Sequence, residues 1–237
     1  MAESQRLRAV LSRVTGLDDR AQHHGAILVV GLGRFGSAVA HTLTEMGHEV
    51  LAIDTDGDRV TEHAELVTHA ALADATSDRV LRQLGVPEMT TALVCIGNDI
   101  EASVLATAAL VDLGVANVWA KAITESHGRI LERVGATHVV FPEAEMGGRV
   151  AHLVTGSMIE YIALDEDFVL IETRAPTSIV GKTLADSGLR ADYRVTVVCV
   201  KPEGAAFTYA SFDTILGPND LIVVAGHRDD VARFAAG

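Results

Sequence analysis

The chain has 237 residues, of which 49% are hydrophobic and 22% charged, enough for a buried core in one domain or two. Nineteen basic against 32 acidic residues leave a formal charge of −13, which opposes nucleic acid or an anionic lipid surface as the main partner. No apolar run approaches the ~18 residues a membrane span needs and no signal-peptide core opens the chain, so a cytoplasmic location is expected.

Residues 1–25 are polar and mixed in charge. Leu7, Val10, Leu11 and Val14 recur at helical spacing, so this extension reads either as a frayed lead-in or as a short partner-docking helix. From Ala26 the pattern alternates. Strands are predicted at 26–31, 49–53, 66–71, 91–96, 117–121 and 138–141, with helices at 34–46, 56–64, 77–84, 99–113 and 125–134. Strands that are nearly all apolar, separated by amphipathic helices, predict a parallel sheet covered on both faces, a doubly wound Rossmann-like unit over 26–142. Both cysteines, Cys95 and Cys199, lie in such apolar runs and read as buried free thiols.

The style changes after Pro142. A long helix-compatible stretch, EAEMGGRVAHLVTGSMIEYIAL, leads through an expected crossover hinge at 143–160 into a small α+β domain over 161–237. Short strands are predicted near 168–174, 194–200, 206–210 and 220–225, and short helices near 182–187 and 228–234.

One motif carries chemistry. Gly31, Gly33 and Gly36 fit G-x-G-x-x-G between a strand and a helix, and Asp54 ends the next strand 18 residues past Gly36. The first glycine permits a tight turn, the second lets backbone approach phosphate, and the third lets helix and sheet pack closely. The helix start then offers unpaired N–H groups to an anion. A carboxylate at Asp54 accepts ribose hydroxyls and repels a 2′-phosphate, which favours NAD(H), ATP or ADP. Arg34, inside the loop, is a phosphate ligand by type, reaching this chain's nucleotide or a neighbouring subunit's; a solvated loop arginine is the alternative. What chemistry would need beyond this is missing from the sequence. There is no G-x-S-x-G, H-E-x-x-H or C-x-x-C, no Ser-x-x-x-Lys after a late strand, and the ten histidines are scattered without metal-ligand spacing. A sensor is favoured over the other reading, a small NAD-dependent oxidoreductase.

The loop GLGRFG, the acid in AIDTD, the segments LADAT, CIGND and WAKA, and the run GATHVVFPEAEMGGRVA occur in order. Over about 26–234 the chain resembles the regulatory RCK (KTN) subunits of bacterial Ktr/Trk potassium uptake systems, nearest the KtrA type, and its tail is similar to the TrkA-C module. The resemblance implies a non-enzymatic subunit whose dimers assemble into an octameric ring beneath a KtrB/TrkH-like membrane transporter. ATP and ADP would hold that ring in different shapes, and NAD(H) can occupy the same pocket in such proteins. By position it assigns Gly31, Gly33 and Gly36 to the phosphates and Phe35 to the cofactor site, with Arg34 reaching the partner subunit's γ-phosphate. Asp54 takes the ribose; Asp74, Ala75 and Thr76 face the adenosine; Ile96, Gly97 and Lys121 line the pocket. Glu143 helps hold a cation (Mg²⁺ or Ca²⁺, with Na⁺ as a further choice) at the dimer interface. Three alternatives stay open: Asp74 as an N-cap for a helix from Thr76, Lys121 as a solvated strand end, Glu143 as a first-turn acid. In some relatives the C-terminal module binds cyclic di-AMP, and Ile179, Val180 and Arg190 fall near those positions. Two departures weaken that assignment: Arg194 stands where a glycine is common, and Ala210–Phe212 lacks the usual prolines.

Overall fold

In a computed structural model the described residues are 25–154 and 158–236. The helix considered for the N-terminal extension lies outside them. The chain divides into two compact units, at residues 143 and 144.

In the first unit, β1 (Ile27–Val30), α1 (Arg34–Glu45), β2 (Val50–Asp54), α2 (Gly57–His63), β3 (His69–Leu72), α3 (Asp78–Gln83), β4 (Thr91–Val94), α4 (Ile100–Asp112), β5 (Asn117–Lys121), α5 (Glu125–Arg133) and β6 (His138–Val140) alternate along the chain. They form one six-stranded sheet in the order β3-β2-β1-β4-β5-β6, parallel throughout. The order reverses beside β1, where a doubly wound sheet opens a crevice at the carboxyl ends of its strands. Burial explains the apolar runs. Leu28, Val30, Leu51 and Ile53 point into one buried cluster, while Val29, Val50 and Ala52 point into another. Successive strand residues face opposite sides, so both faces must be covered for both sets to be dry. Strand β3 begins later than predicted, because a turn closed by Leu66 N–H on the His63 carbonyl precedes it.

The second unit holds β7 (Glu160–Ala163), β8 (Phe168–Arg174), α7 (Leu189–Asp192), β9 (Thr196–Lys201), β10 (Thr208–Tyr209), β11 (Leu221–His227) and α8 (Arg228–Ala236), numbered after α6 (Pro142–Val154). The sheet order is β10-β9-β11-β8-β7, antiparallel throughout. Its core gathers Val169, Ile171, Val200, Ile222 and Val224 with Val231 and Phe234 of α8.

Two expected helices fail here. The apolar run read as a continuing helix is cut: α6 ends at Val154 and Glu160–Ala163 becomes a strand. Glu160 takes a two-pronged hydrogen bond from Arg149 of α6, and Tyr161 is buried while its neighbours are not, which is strand alternation. The helix expected near 182–187 is turn, bridged from Thr183 to Ile215, and helix appears only at Leu189–Asp192, after Gly188 at φ +72°. The cysteines also differ from expectation, Cys95 being buried and Cys199 only half-buried.

Candidate functional site: a glycine-loop cavity

The turn from β1 into α1 is built on two glycines that nothing larger can replace. Gly31 sits at φ +95°, in the left-handed region. A Cβ on Gly36 would lie 1.8 Å from the Gly31 carbonyl oxygen and 2.9 Å from Cys95 Cβ. The helix therefore starts pressed against the loop. Helices α2, α4 and α5 are each capped by a side chain, from Asp56, Asp99 and Thr124. Helix α1 receives no side-chain cap and has no acid in its first turn. Its leading N–H groups and its dipole are left for an external anion.

A cavity of about 400 Å³ opens at this point. It is lined by Gly31, Gly33, Arg34, Phe35, Asp54, Asp74, Ala75, Thr76, Ile96, Gly97 and Lys121, among others, so the fold brings eleven of the thirteen expected cofactor residues to one wall. Gly36 lies beneath the loop, and Glu143 joins through Lys121 rather than through the lining.

Asp54 is buried, and its carboxylate is already at work. Oδ2 accepts the Leu32 N–H at 2.6 Å and Oδ1 accepts the Asp56 N–H at 2.9 Å. Arg59 Nη1 stands 3.6 Å from Oδ2, and Arg59 Nε also pairs with Asp56 at 3.3 Å. The acid thus braces the glycine loop while keeping lone pairs for a further donor in the cavity. Arg59 lines the cavity and its Nη1 is 4.0 Å from where a Gly33 Cβ would stand. Sequence reading passes over it, because an arginine on a polar helix carries no pattern; its position five residues after the acid is the one available cue.

The other side chains settle several alternatives. Asp74 Oδ1 accepts both the N–H (2.9 Å) and the hydroxyl (2.7 Å) of Thr76, a local turn. It does not cap a helix, since α3 starts at Asp78 with Ser77 as its N-cap residue. Lys121 is not a solvated strand end. It is buried, its ammonium bonds the Glu143 carboxylate, and it lies 5.7 Å from the centre of the Phe35 ring. Glu143 is in the first turn of α6, and the bond from Lys121 holds its carboxyl below the usual range, with Arg34 adding a smaller attraction. Burial pushes the Cys95 thiol up to about 12, against a smaller pull from Lys121. Among the described residues no three His, Cys, Asp or Glu side chains gather as a metal site.

In the second unit a cavity of about 790 Å³ is lined by Arg190 together with Leu184, Leu189, Val197, Ser211 and Phe212. Ile179 and Val180 do not line it. Ile179 is buried in the second core and Val180 packs against it. Arg194, at φ +57°, is the only non-glycine residue at positive φ among the described residues, so the glycine usual there reflects a left-handed turn. Its guanidinium bonds the buried Asp230 at 3.1 Å.

An uncapped glycine-loop helix on a 3-2-1-4-5-6 parallel sheet, followed by a small antiparallel sheet, defines a Rossmann-like protein with a second α+β module. Residues 27–142 match the TrkA-N domain and residues 168–236 the TrkA-C domain. Ktr system potassium uptake protein C of Bacillus subtilis (strain 168) is 36% identical over 207 residues, covering 87% of this chain and 94% of that protein. Ktr system potassium uptake protein A of Vibrio alginolyticus is 35% identical over 206 residues, covering 86% and 94%. The GsuK RCK domain shares the fold, with a TM-score of 0.62 at 20% identity over 93% of this chain and 48% of that one. The chain belongs to the family of Ktr potassium uptake proteins.

Proposed function

We propose that this chain is a cytoplasmic, nucleotide-binding regulatory subunit that gates a membrane potassium transporter. The carrying observation is the cavity itself: a bare helix start, a ribose-type acid and three cations, Arg34, Arg59 and Lys121, converge on it. Its remaining ionisable groups are engaged in holding shape. Asp54 braces the loop, Asp99 caps α4, Asp74 closes a turn, and a thiol with a pKa of about 12 is no nucleophile near neutrality. Such a site suits binding better than turnover. Among the described residues no helix is long and apolar enough to cross a membrane, in keeping with a subunit that docks beneath a separate transporter.

The switch we propose is between ATP and ADP, with NAD(H) as a further occupant of the cavity. A nucleotide shifts a conformational equilibrium only through contacts that differ between states, and here the difference is one phosphoryl group. Arg34 is exposed at the cavity and reads that charge on a partner subunit's ATP, in a dimer that assembles into an octameric ring. A coupling of about 1–3 kcal/mol is typical of such devices. A hard cation at Glu143, Mg²⁺ or Ca²⁺, with Na⁺ as an alternative, has to share or displace the Lys121 ammonium that now holds the carboxylate. For cyclic di-AMP the proposed place is the Arg190 cavity, with Ile179 and Val180 belonging to the core cluster that shares Leu189 and Val197 with its lining.

Titration of the purified chain with ATP, ADP, NAD⁺ and NADH, with and without divalent cation and with mass by light scattering, tests this. An octamer that separates ATP from ADP supports it. Arg34→Ala is expected to bind ADP as before and lose its preference for ATP; equal loss of both nucleotides counts against the assigned role. Hydride turnover with a carbonyl substrate would replace the proposal with an oxidoreductase.

A further inference from the structure

The sequence scatters ten histidines, but the fold brings two of them into edge-on ring contact away from the nucleotide cavity. His41 is on α1 and His63 is in the last turn of α2. Their ring centres are 5.0 Å apart with planes 61° from parallel. His41 Nε2 and His63 Nδ1 are both shut off from solvent, and neither has a hydrogen-bond partner. An orphaned nitrogen on each of two touching rings needs an explanation, since buried polar atoms are nearly always satisfied.

We infer that the pair is a divalent transition-metal site that holds Zn²⁺ or a similar imidazole-preferring ion. Imidazole nitrogen suits Zn²⁺, Ni²⁺ and Cu²⁺. With metal–nitrogen bonds of about 2.1 Å, the metal stands about 3.2 Å from each ring centre. Two imidazoles then have centres about 5.2 Å apart in tetrahedral geometry and about 4.5 Å apart at right angles. The observed 5.0 Å falls between these values. Both residues are only half-buried overall, so although the nitrogens are covered, the ion lies near enough to the surface for water to complete the coordination once the rings turn to hold it. Two protein ligands plus water make an exchangeable site rather than a closed structural one.

Position gives the ion a consequence. His41 lies seven residues, two helical turns, past Arg34 on the same face of α1; His63 lies four residues past Arg59 on α2. A bound ion ties the helix that leads from the glycine loop to the helix whose arginine pairs with Asp54.

The test uses the full tag-free chain, stripped of metal and titrated with ZnCl₂. Wild type and His41→Asn/His63→Asn are followed by calorimetry and metal analysis, and the wild-type imidazole signals by NMR. Expected are one Zn²⁺ equivalent more in wild type than in the double variant, at least tenfold weaker uptake in either single variant, and signals of both rings moving together by one equivalent. Equal uptake by wild type and double variant overturns the inference, because it assigns the metal to other histidines such as His23 and His24. So do ring signals of His41 and His63 that stay still at saturating Zn²⁺, a readout independent of how the variants fold.

Discussion

Gly33 and Gly36 belong to one motif, yet the structure assigns them different burdens, and alanine at each should separate folding from binding. At Gly36 the new methyl would stand 1.8 Å from the Gly31 oxygen and 3.0 Å from its carbonyl carbon, against an ordinary contact of 3.4–4 Å. The oxygen cannot yield cheaply, because Gly31 is held at φ +95° with its N–H on the Ile53 carbonyl at 2.7 Å. Relief requires α1 to move outward by more than an ångström, dragging its packed face off the sheet. Overpacking of this kind costs typically 1–3 kcal/mol and occasionally more, and a rigid backbone partner puts Gly36→Ala at the upper end, about 3 kcal/mol. In a unit of this size that lowers the melting temperature by roughly 10 °C or more. At Gly33 the backbone is extended at φ −66°, and the nearest neighbour to a new methyl is the flexible Arg59 tip at 4.0 Å. Gly33→Ala should melt within a degree or two of wild type, while nucleotide affinity falls at least tenfold because the methyl occupies phosphate space. Calorimetry and fluorescent-nucleotide titration on the three chains suffice. A Gly36→Ala chain with wild-type melting, or a Gly33→Ala chain as damaged as Gly36→Ala, refutes the reasoning.

The Lys121–Glu143 pair should respond to acid. A carboxyl held below its usual range stabilises the fold above its unfolded value, and that contribution is lost as pH falls through the folded one. Wild type should therefore exceed Glu143→Gln at pH 7, by no more than about 1 kcal/mol for so exposed a carboxylate, and the gap should close in denaturant titrations as pH falls below the ordinary glutamate range. At position 194, glycine should be more stable than alanine, because both lose the Asp230 bond but only alanine keeps the left-handed strain of about 1 kcal/mol; urea unfolding orders them, and alanine matching or exceeding glycine contradicts this. Thiol reagents at pH 8 should modify half-buried Cys199 well before Cys95, as peptide mapping over time would show; early labelling of Cys95 would deny its burial.

The parallel sheet is legible in the sequence because each strand is buried on both sides, so its apolar run carries the signal by itself. Thus Val50–Asp54, buried at every position, is predicted nearly to the residue. Strand β7 is not legible. Its identity depends on the reach of Arg149 to Glu160 and on pairing with β8, neither of which a local window contains. The glycine loop and Asp54 can be read because close backbone approach admits few residue types. Arg59 cannot, since a surface-type residue becomes part of a site only when α2 is laid beside α1. The C-terminal module exposes the reverse weakness. Ile179 looks like a ligand residue by position, and its apolar side chain is spent on the core.

The brace formed by Asp54 complicates any attempt to make a chain blind to nucleotide by the obvious substitution. Replacing that acid with alanine removes the proposed ribose acceptor, but it also strips the Leu32 and Asp56 N–H groups of their partner and leaves Arg59 with Asp56 alone. A phenotype from such an allele would confound lost recognition with a collapsed loop. Selection faces the same entanglement: drift at this codon is penalised even in a lineage that has ceased to need the ligand, so the acid can outlive its original use.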